Sequence, residues 1–190
     1  MIKFHTNHFL NIRCLTAAVL LISSLALPAQ TAVSREYQIK AVFIFNFTQF
    51  VDWPSTSFSS GDAPLVIGVL GENPFGSYLV EIVSGEKVNG HPVLIQHFDR
   101  AEEIKTCHIL LVGWSDSKRS EQVISALKER SILTISDQPR FLIQGGMVKL
   151  FTKNSKVRFE INPEAAKAAG LVLSSKLLRL AEIFDPAKNR

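Results

Sequence analysis

Ser174, Ser175 and Lys176 stand side by side in "AAGLVLSSKLLRLA", residues 168–181, and serine with lysine is the pairing of a nucleophile with its base. Their spacing excludes that chemistry. A helical Ser-x-x-Lys pair shares one face, but the residue three after Ser174 is Leu177. Ser175 and Lys176 are adjacent, so they diverge by about 100° around a helix. The chain also has no Gly-x-Ser-x-Gly to set up a nucleophile elbow. Ser174 has a structural role open to it instead, as the cap of a last helix "SKLLRLAEIF" in which Leu177, Leu180, Ala181 and Phe184 share a face.

The stretch "GENPFGSY", residues 71–78, places two glycines five apart in the frame of a phosphate-binding loop. Ser77-Tyr78 stands where a Lys-Ser/Thr pair would hold phosphates and metal, and no Gly-x-Gly-x-x-Gly occurs. Amides at a helix N-terminus hold a carboxylate without any lysine. Glu72, Asn73, Phe75 and Gly76 are therefore candidates for a ligand or loop site, with Gly145 and Gly146 beside them; the alternative is a plain strand-to-helix turn. Three histidines follow residue 32: His91, His97 and His108. His108 neighbours Cys107 on an expected strand, so the two face opposite sides and form no dyad. With no His-x-x-x-His, no Cys-x-x-Cys and no tight carboxylate cluster, no metal site, catalytic set or cofactor is expected. An enzyme is not the expectation.

The chain has 190 residues, 46% apolar and 20% charged, the composition of one globular domain. Residues 1–32 differ from the rest. They carry Lys3, Arg13 and no acid, then the apolar run "CLTAAVLLISSLAL", closed by Pro28 and small residues up to Ala32. A basic start, a short apolar run and a small-residue exit predict a cleaved secretory signal peptide, since a membrane span wants roughly twenty apolar residues. Cleavage after Ala26, Ala29 or Ala32 fits equally. The expected location is the periplasm, and the expected fold unit is residues 33–190. That unit holds 19 basic against 17 acidic side chains, a net +2, dispersed along the chain. Neither nucleic acid nor an anionic surface is an expected partner. Cys107 is its single cysteine, so no disulfide within the chain is expected. The thiol is either buried in the strand "TCHILLVG" or paired between chains.

The elements follow from periodicity. "SREYQIKAVFIFNFTQFVDWP" predicts a helix that Ser34 caps and Pro54 stops. One apolar stripe is Tyr37, Ala41, Ile44 and Phe45; a second is Phe43, Phe47, Phe50 and Val51. A helix apolar on most sides is covered on more than one, so either the whole helix is wedged into its own core or the second stripe meets another chain. Apolar strands then alternate with helices: residues 65–70, "HPVLIQHF", "CHILLVG" and "SILTISD", with a helix "SEQVISALKER" capped by Asp116, Ser117 or Ser120. That alternation indicates a parallel sheet covered on both faces, and right-handed crossovers make it doubly wound. "MVKLFTKNSKVRFEIN" alternates with period two around a polar turn, an antiparallel hairpin with one wet face. Asn162-Pro163-Glu164 starts a helix, Gly170 ends it, and "LVL" is extended. The expected fold is a Rossmann-like α/β domain of about six strands with a C-terminal hairpin and terminal helices.

Four stretches together resemble the YfiR family of bacterial periplasmic proteins: "YQIKAVFIFNFTQFVDWP", "PLVIGVLGENPFG", "ILTISD" with "FLIQGGMVKL", and "VRFEINPEAAKAAGLVLSSKLLRLA". The resemblance implies a dimerising, non-enzymatic regulator. It would repress a membrane-bound diguanylate cyclase by binding the cyclase's periplasmic sensor region, and an outer-membrane-associated protein would sequester it. Cyclic di-GMP and biofilm formation would fall when it acts. The better-known members carry disulfides. Aligned with them, Cys107 matches one such cysteine and its partner position falls on Gly68, while a second pair near residues 146–149 is missing. Candidate partner contacts are Phe43, Phe47, Phe50, Trp53 and Pro54. A periplasmic small-ligand binder, using loops at the C-terminal ends of the strands, is the alternative.

Overall fold

The computed structural model describes residues 33–113 and 117–187; the expected signal peptide and Asp116 lie outside them. Ser34 caps helix α1 (Arg35–Phe47) by accepting the Tyr37 amide at 3.4 Å. The helix ends at Thr48, whose hydroxyl donates back to the Phe45 carbonyl at 2.6 Å, so the helix stops before Trp53-Pro54. Strand β1 (Val51–Asp52) follows, then a single 3-10 turn at Ser55–Ser57. The α/β body comprises β2 (Leu65–Gly71), α2 (Tyr78–Val83), β3 (Lys87–Val88), β4 (His91–Phe98), β5 (Ile109–Gly113), α3 (Ser117–Leu127) and β6 (Leu133–Ser136). Ser120 lies inside α3 and is buried, so it is not the cap.

The C-terminal part contains β7 (Val148–Lys153), β8 (Lys156–Ile161), α4 (Pro163–Ala168), β9 (Val172–Leu173), α5 (Ser175–Leu180) and β10 (Glu182–Ile183). Asn162 caps α4, accepting the Ala165 amide at 3.1 Å ahead of Pro163. Gly170 ends it at φ +75°, a left-handed conformation that glycine adopts without penalty. Ser174 caps α5, accepting the Leu177 amide at 3.2 Å. The serine of the opening motif is thus committed to a helix start.

The main sheet has the order β10-β8-β7-β6-β5-β2-β4-β3. It is parallel from β4 through β2, β5 and β6 to β7, and antiparallel within the β7–β8 hairpin and at β3. Six strands longer than two residues build it, as the apolar runs predict. The two-residue strands β1, β3, β9 and β10 are too short to leave any period in the sequence. Strands β1 and β9 form a separate antiparallel pair. One face of the main sheet packs under α1 and α2 through Ile67, Val69, Leu111, Ile135 and Leu150. The other packs under α3 through Leu70, Leu110 and Val112. Helices on opposite faces of one parallel sheet make it a doubly wound, Rossmann-like domain.

The last helix departs from the expectation. It stops at Leu180, and Glu182-Ile183 pair in parallel with Glu160-Ile161 of β8. Leu177 joins the core on the α1 side, Phe184 joins the core on the α3 side, and Leu180 stays 71% exposed. The open edge of β8 offers ladder partners that outcompete one more helical turn, so these residues do not share a helix face.

Candidate functional site

The segment from α1 to Trp53 combines the aromatic residues singled out in the sequence. Phe43 is half-buried, with its ring centroid 5.5 Å from that of Phe159. Phe47 is only 1% exposed and meets Phe159 edge-on at 5.2 Å. Phe47 is therefore a core residue and not part of an outward stripe: the second face of α1 is covered by β8 of the same chain. Phe50 is half-buried, and its carbonyl accepts the Ser174 amide at 2.9 Å. The apolar side chains that α1 does turn outward are Ile39 and Val42, at 40% and 42% exposure. Neither belonged to the two stripes, because both lie between them on the helical wheel.

Trp53 and Pro54 are half-buried. The Trp53 indole N–H donates to the His108 carbonyl at 3.0 Å, and its ring stands edge-on to the His108 imidazole at 5.9 Å. Phe58 is stacked between two imidazoles, 4.0 Å from His91 and 4.3 Å from His108. His108 is fully buried, and its Nδ1 accepts the Val66 amide at 3.0 Å. That bond puts the proton of the neutral ring on Nε2, which has no hydrogen-bond partner among the described residues. Burial holds the His108 pKa below its ordinary value, against a smaller upward pull from the nearby Ser57 carbonyl, which does not reach hydrogen-bond geometry. His91 Nδ1 lies 2.6 Å from the Ala63 carbonyl; a carbonyl only accepts, so Nδ1 carries a proton. The sequence offered one signal for this brace, a lone phenylalanine in the polar stretch "STSFSSGD".

The 72–76 loop meets the other end of α1. Phe75 is buried and packs edge-on against Tyr37 at 5.5 Å. The loop satisfies itself. The Asn73 side chain accepts the Phe75 amide at 3.0 Å and donates to the Gly76 carbonyl at 3.1 Å, an Asx turn that leads into a helix of six residues with no side-chain cap. Glu72 is exposed. Beside the loop, Lys40 is 4% exposed and its ammonium lies 2.9 Å from both Glu36 and Asp137. Burial pulls its pKa down, but the two carboxylates outweigh that and leave it raised. Tyr37 donates its hydroxyl to the same Asp137 oxygen at 3.0 Å. These bonds tie α1 to the end of β6.

The C-terminal ends of the central strands are where open α/β sheets bind ligands. Here the space lined by Lys40, Glu72, Gly113, Ser136 and Asp137 is a crevice of about 30 Å³, small beside the roughly 150 Å³ of a cavity that takes up benzene. Gly113 approaches the Glu72 carbonyl so closely that no side chain fits between them. As it stands in the structure, this crevice is too small for a ring-sized ligand. Gly145 and Gly146 lie apart from both α1 and the 72–76 loop. Gly146 is buried against the ring of Phe141, where a Cβ would overlap it. Gly145 lines a surface cleft with Ile124, Ile143, Met147 and Ala165.

Cys107 is buried, as expected, but it and His108 lie just before β5 rather than in it, and its thiol is free. Its thiol donates to the Ile109 carbonyl at 3.0 Å, and burial pushes its pKa up to about 12, so it carries no thiolate chemistry at neutral pH. No cluster of three or more histidines, cysteines or acids able to hold a metal occurs among the described residues. No helix among them is long and apolar enough to cross a membrane.

A family model described as YfiR/HmsC-like matches residues 37–182. The chain belongs to that family. The YfiR/HmsC-like match opens at Tyr37 in α1 and closes at Glu182 in β10, so it takes in Trp53 and its His108 brace, the 72–76 loop and the capped α5. The YfiR/HmsC-like family is regulatory and periplasmic. No curated protein matches the chain at a significant level.

Proposed function

We propose that this protein is an exported, non-enzymatic repressor that binds the periplasmic region of a membrane-bound diguanylate cyclase and thereby lowers cyclic di-GMP and biofilm formation. The observation that carries the reading is the family match over residues 37–182. The surface agrees with a protein that works by contact. Helix α1 presents Ile39 and Val42 outward, and half-buried Phe43, Phe50, Trp53 and Pro54 continue along the same segment. Rigid, partly exposed aromatic side chains held by a braced backbone are the kind that anchor an interface. In this reading Phe47 stands behind the contact surface and supports it. The repressor works as a homodimer, and an outer-membrane-associated protein relieves repression by sequestering it.

Cellular cyclic di-GMP in the native host, with and without the gene, tests the proposal. Deletion is expected to raise it, and the exported protein, but not a leaderless form, is expected to restore it. Unchanged cyclic di-GMP across several growth conditions would remove the repression reading.

A further inference from the structure

We infer that the cleft between β1, the 55–58 turn and the β3–β4 hairpin is a binding site for a small organic ammonium ion with an apolar body. This cleft opens at the N-terminal ends of β2 and β4, away from the narrow crevice at the opposite end of the sheet. Its volume is about 250 Å³. An apolar cavity of roughly 150 Å³ holds a benzene molecule, so an aromatic ring with a short polar arm fits here.

The lining selects charge as well as size. Trp53 supplies a ring surface, Phe58 and His91 line the cleft as a stacked pair, and Leu65 and Val88 supply apolar surface. Electron-rich ring faces attract ammonium groups. Asp52 is the only carboxylate of the lining, and no lysine or arginine is part of it. Asp52 is exposed and has no ion-pair partner among the described residues.

The hydrogen-bonding groups point the same way. The Trp53 N–H is already given to His108, and the Thr48 hydroxyl proton to Phe45. The His91 Nδ1 proton is given to Ala63. What these groups leave over is acceptors, the hydroxyl lone pairs of Thr48 and the Asp52 carboxylate, while Ser55 and Asn89 of the same lining each offer a donor as well as an acceptor. A cleft with a tryptophan wall, apolar surface and one acid with no lysine or arginine in its lining is complementary to an ammonium ion, and its charge disfavours an anion. The inference is independent of repression, because it concerns the purified chain alone.

The test is calorimetric titration of the exported chain at pH 8 with three probes that share one phenyl body: phenethylamine, 2-phenylethanol and phenylacetate. Phenethylamine is expected to bind saturably and at least about fivefold more tightly than either other probe. Asp52→Asn, an exposed change that leaves the fold intact, is expected to remove that preference. Asp52→Lys is expected to reverse it in favour of phenylacetate. Equal affinity for all three probes, no binding of phenethylamine up to on the order of 10 mM, or a preference that survives Asp52→Asn would each overturn the inference.

Discussion

A Cβ placed on Gly68 would stand 2.9 Å from the Cys107 sulfur. In a disulfide with an S–S bond of about 2.05 Å, each Cβ lies roughly 3 Å from the partner sulfur. Strand β2 and the residues leading into β5 thus hold position 68 at bonding distance from the buried thiol of Cys107. This is the position at which the family resemblance placed the missing half-cystine.

Gly68→Cys is therefore expected to form an intramolecular disulfide on export or mild oxidation. Closing a loop of about 40 residues stabilises by roughly 4 kcal/mol in the chain-entropy account. Phe98 and Leu110 also stand 2.9 Å from the new Cβ, so the reduced variant is expected to be overpacked by about 1–3 kcal/mol. Thiol counting in denaturant, with melting curves under oxidising and reducing conditions, reads both effects. Two free thiols after oxidation would refute the geometry.

His108 makes stability sensitive to acid. Its folded pKa is lowered by burial, so the folded state resists a proton that the unfolded chain accepts. The contribution is complete above the unfolded value of about 6.5 and is lost as pH falls below it toward the folded value. Urea unfolding at pH 7.5 and 5.5 is expected to show a steeper loss for the wild type than for His108→Phe. The variant also leaves the Val66 amide unpaired, at a cost of about 1–3 kcal/mol at pH 7.5. Parallel pH dependence of the two proteins would show that His108 titrates normally.

Ser174→Ala tests whether the serine beside Lys176 does anything beyond starting a helix. Its side chain accepts the Leu177 amide, and removing such a cap costs about 1 kcal/mol. The expected phenotype is a lower melting temperature with repression intact at permissive temperature. An unchanged melting temperature would contradict the cap.

The alternation of apolar strands and helices was legible because the central strands β2, β5 and β6 are bounded by turn residues and buried on both faces. Ser34, Asn162, Gly170 and Ser174 announced helix ends through local chemistry that does not depend on distant contacts. Pairings decided by tertiary contacts were not legible. Nothing in Val172-Leu173 names Val51-Asp52 as its partner, and nothing in Glu182-Ile183 announces the open edge of β8. The site behaved alike. Trp53 stood out by its residue type, but its brace is His108, 55 residues away in the chain, which meets it only through the fold and is itself stacked on Phe58. Of the two covers the aromatic stripe left open, Phe47 found the one within its own chain, on Phe159.

That reassignment separates core from contact on α1. Phe47 is buried against Phe159, and truncating such a ring costs about 3–5 kcal/mol even before a charge is buried. Phe47→Asp is expected to abolish the cooperative unfolding transition. Val42 lies five residues earlier on the same helix but is 42% exposed, and a polar change at such a position moves stability within about 0.5 kcal/mol. Val42→Asp is expected to melt like the wild type and to lose repression, since a carboxylate in the centre of an apolar contact would be desolvated without a partner. The pair is read by thermal melting beside cellular cyclic di-GMP. A cooperative, unshifted transition for Phe47→Asp would move that ring out of the core. Full repression by a folded Val42→Asp would place the partner contact away from the outward face of α1.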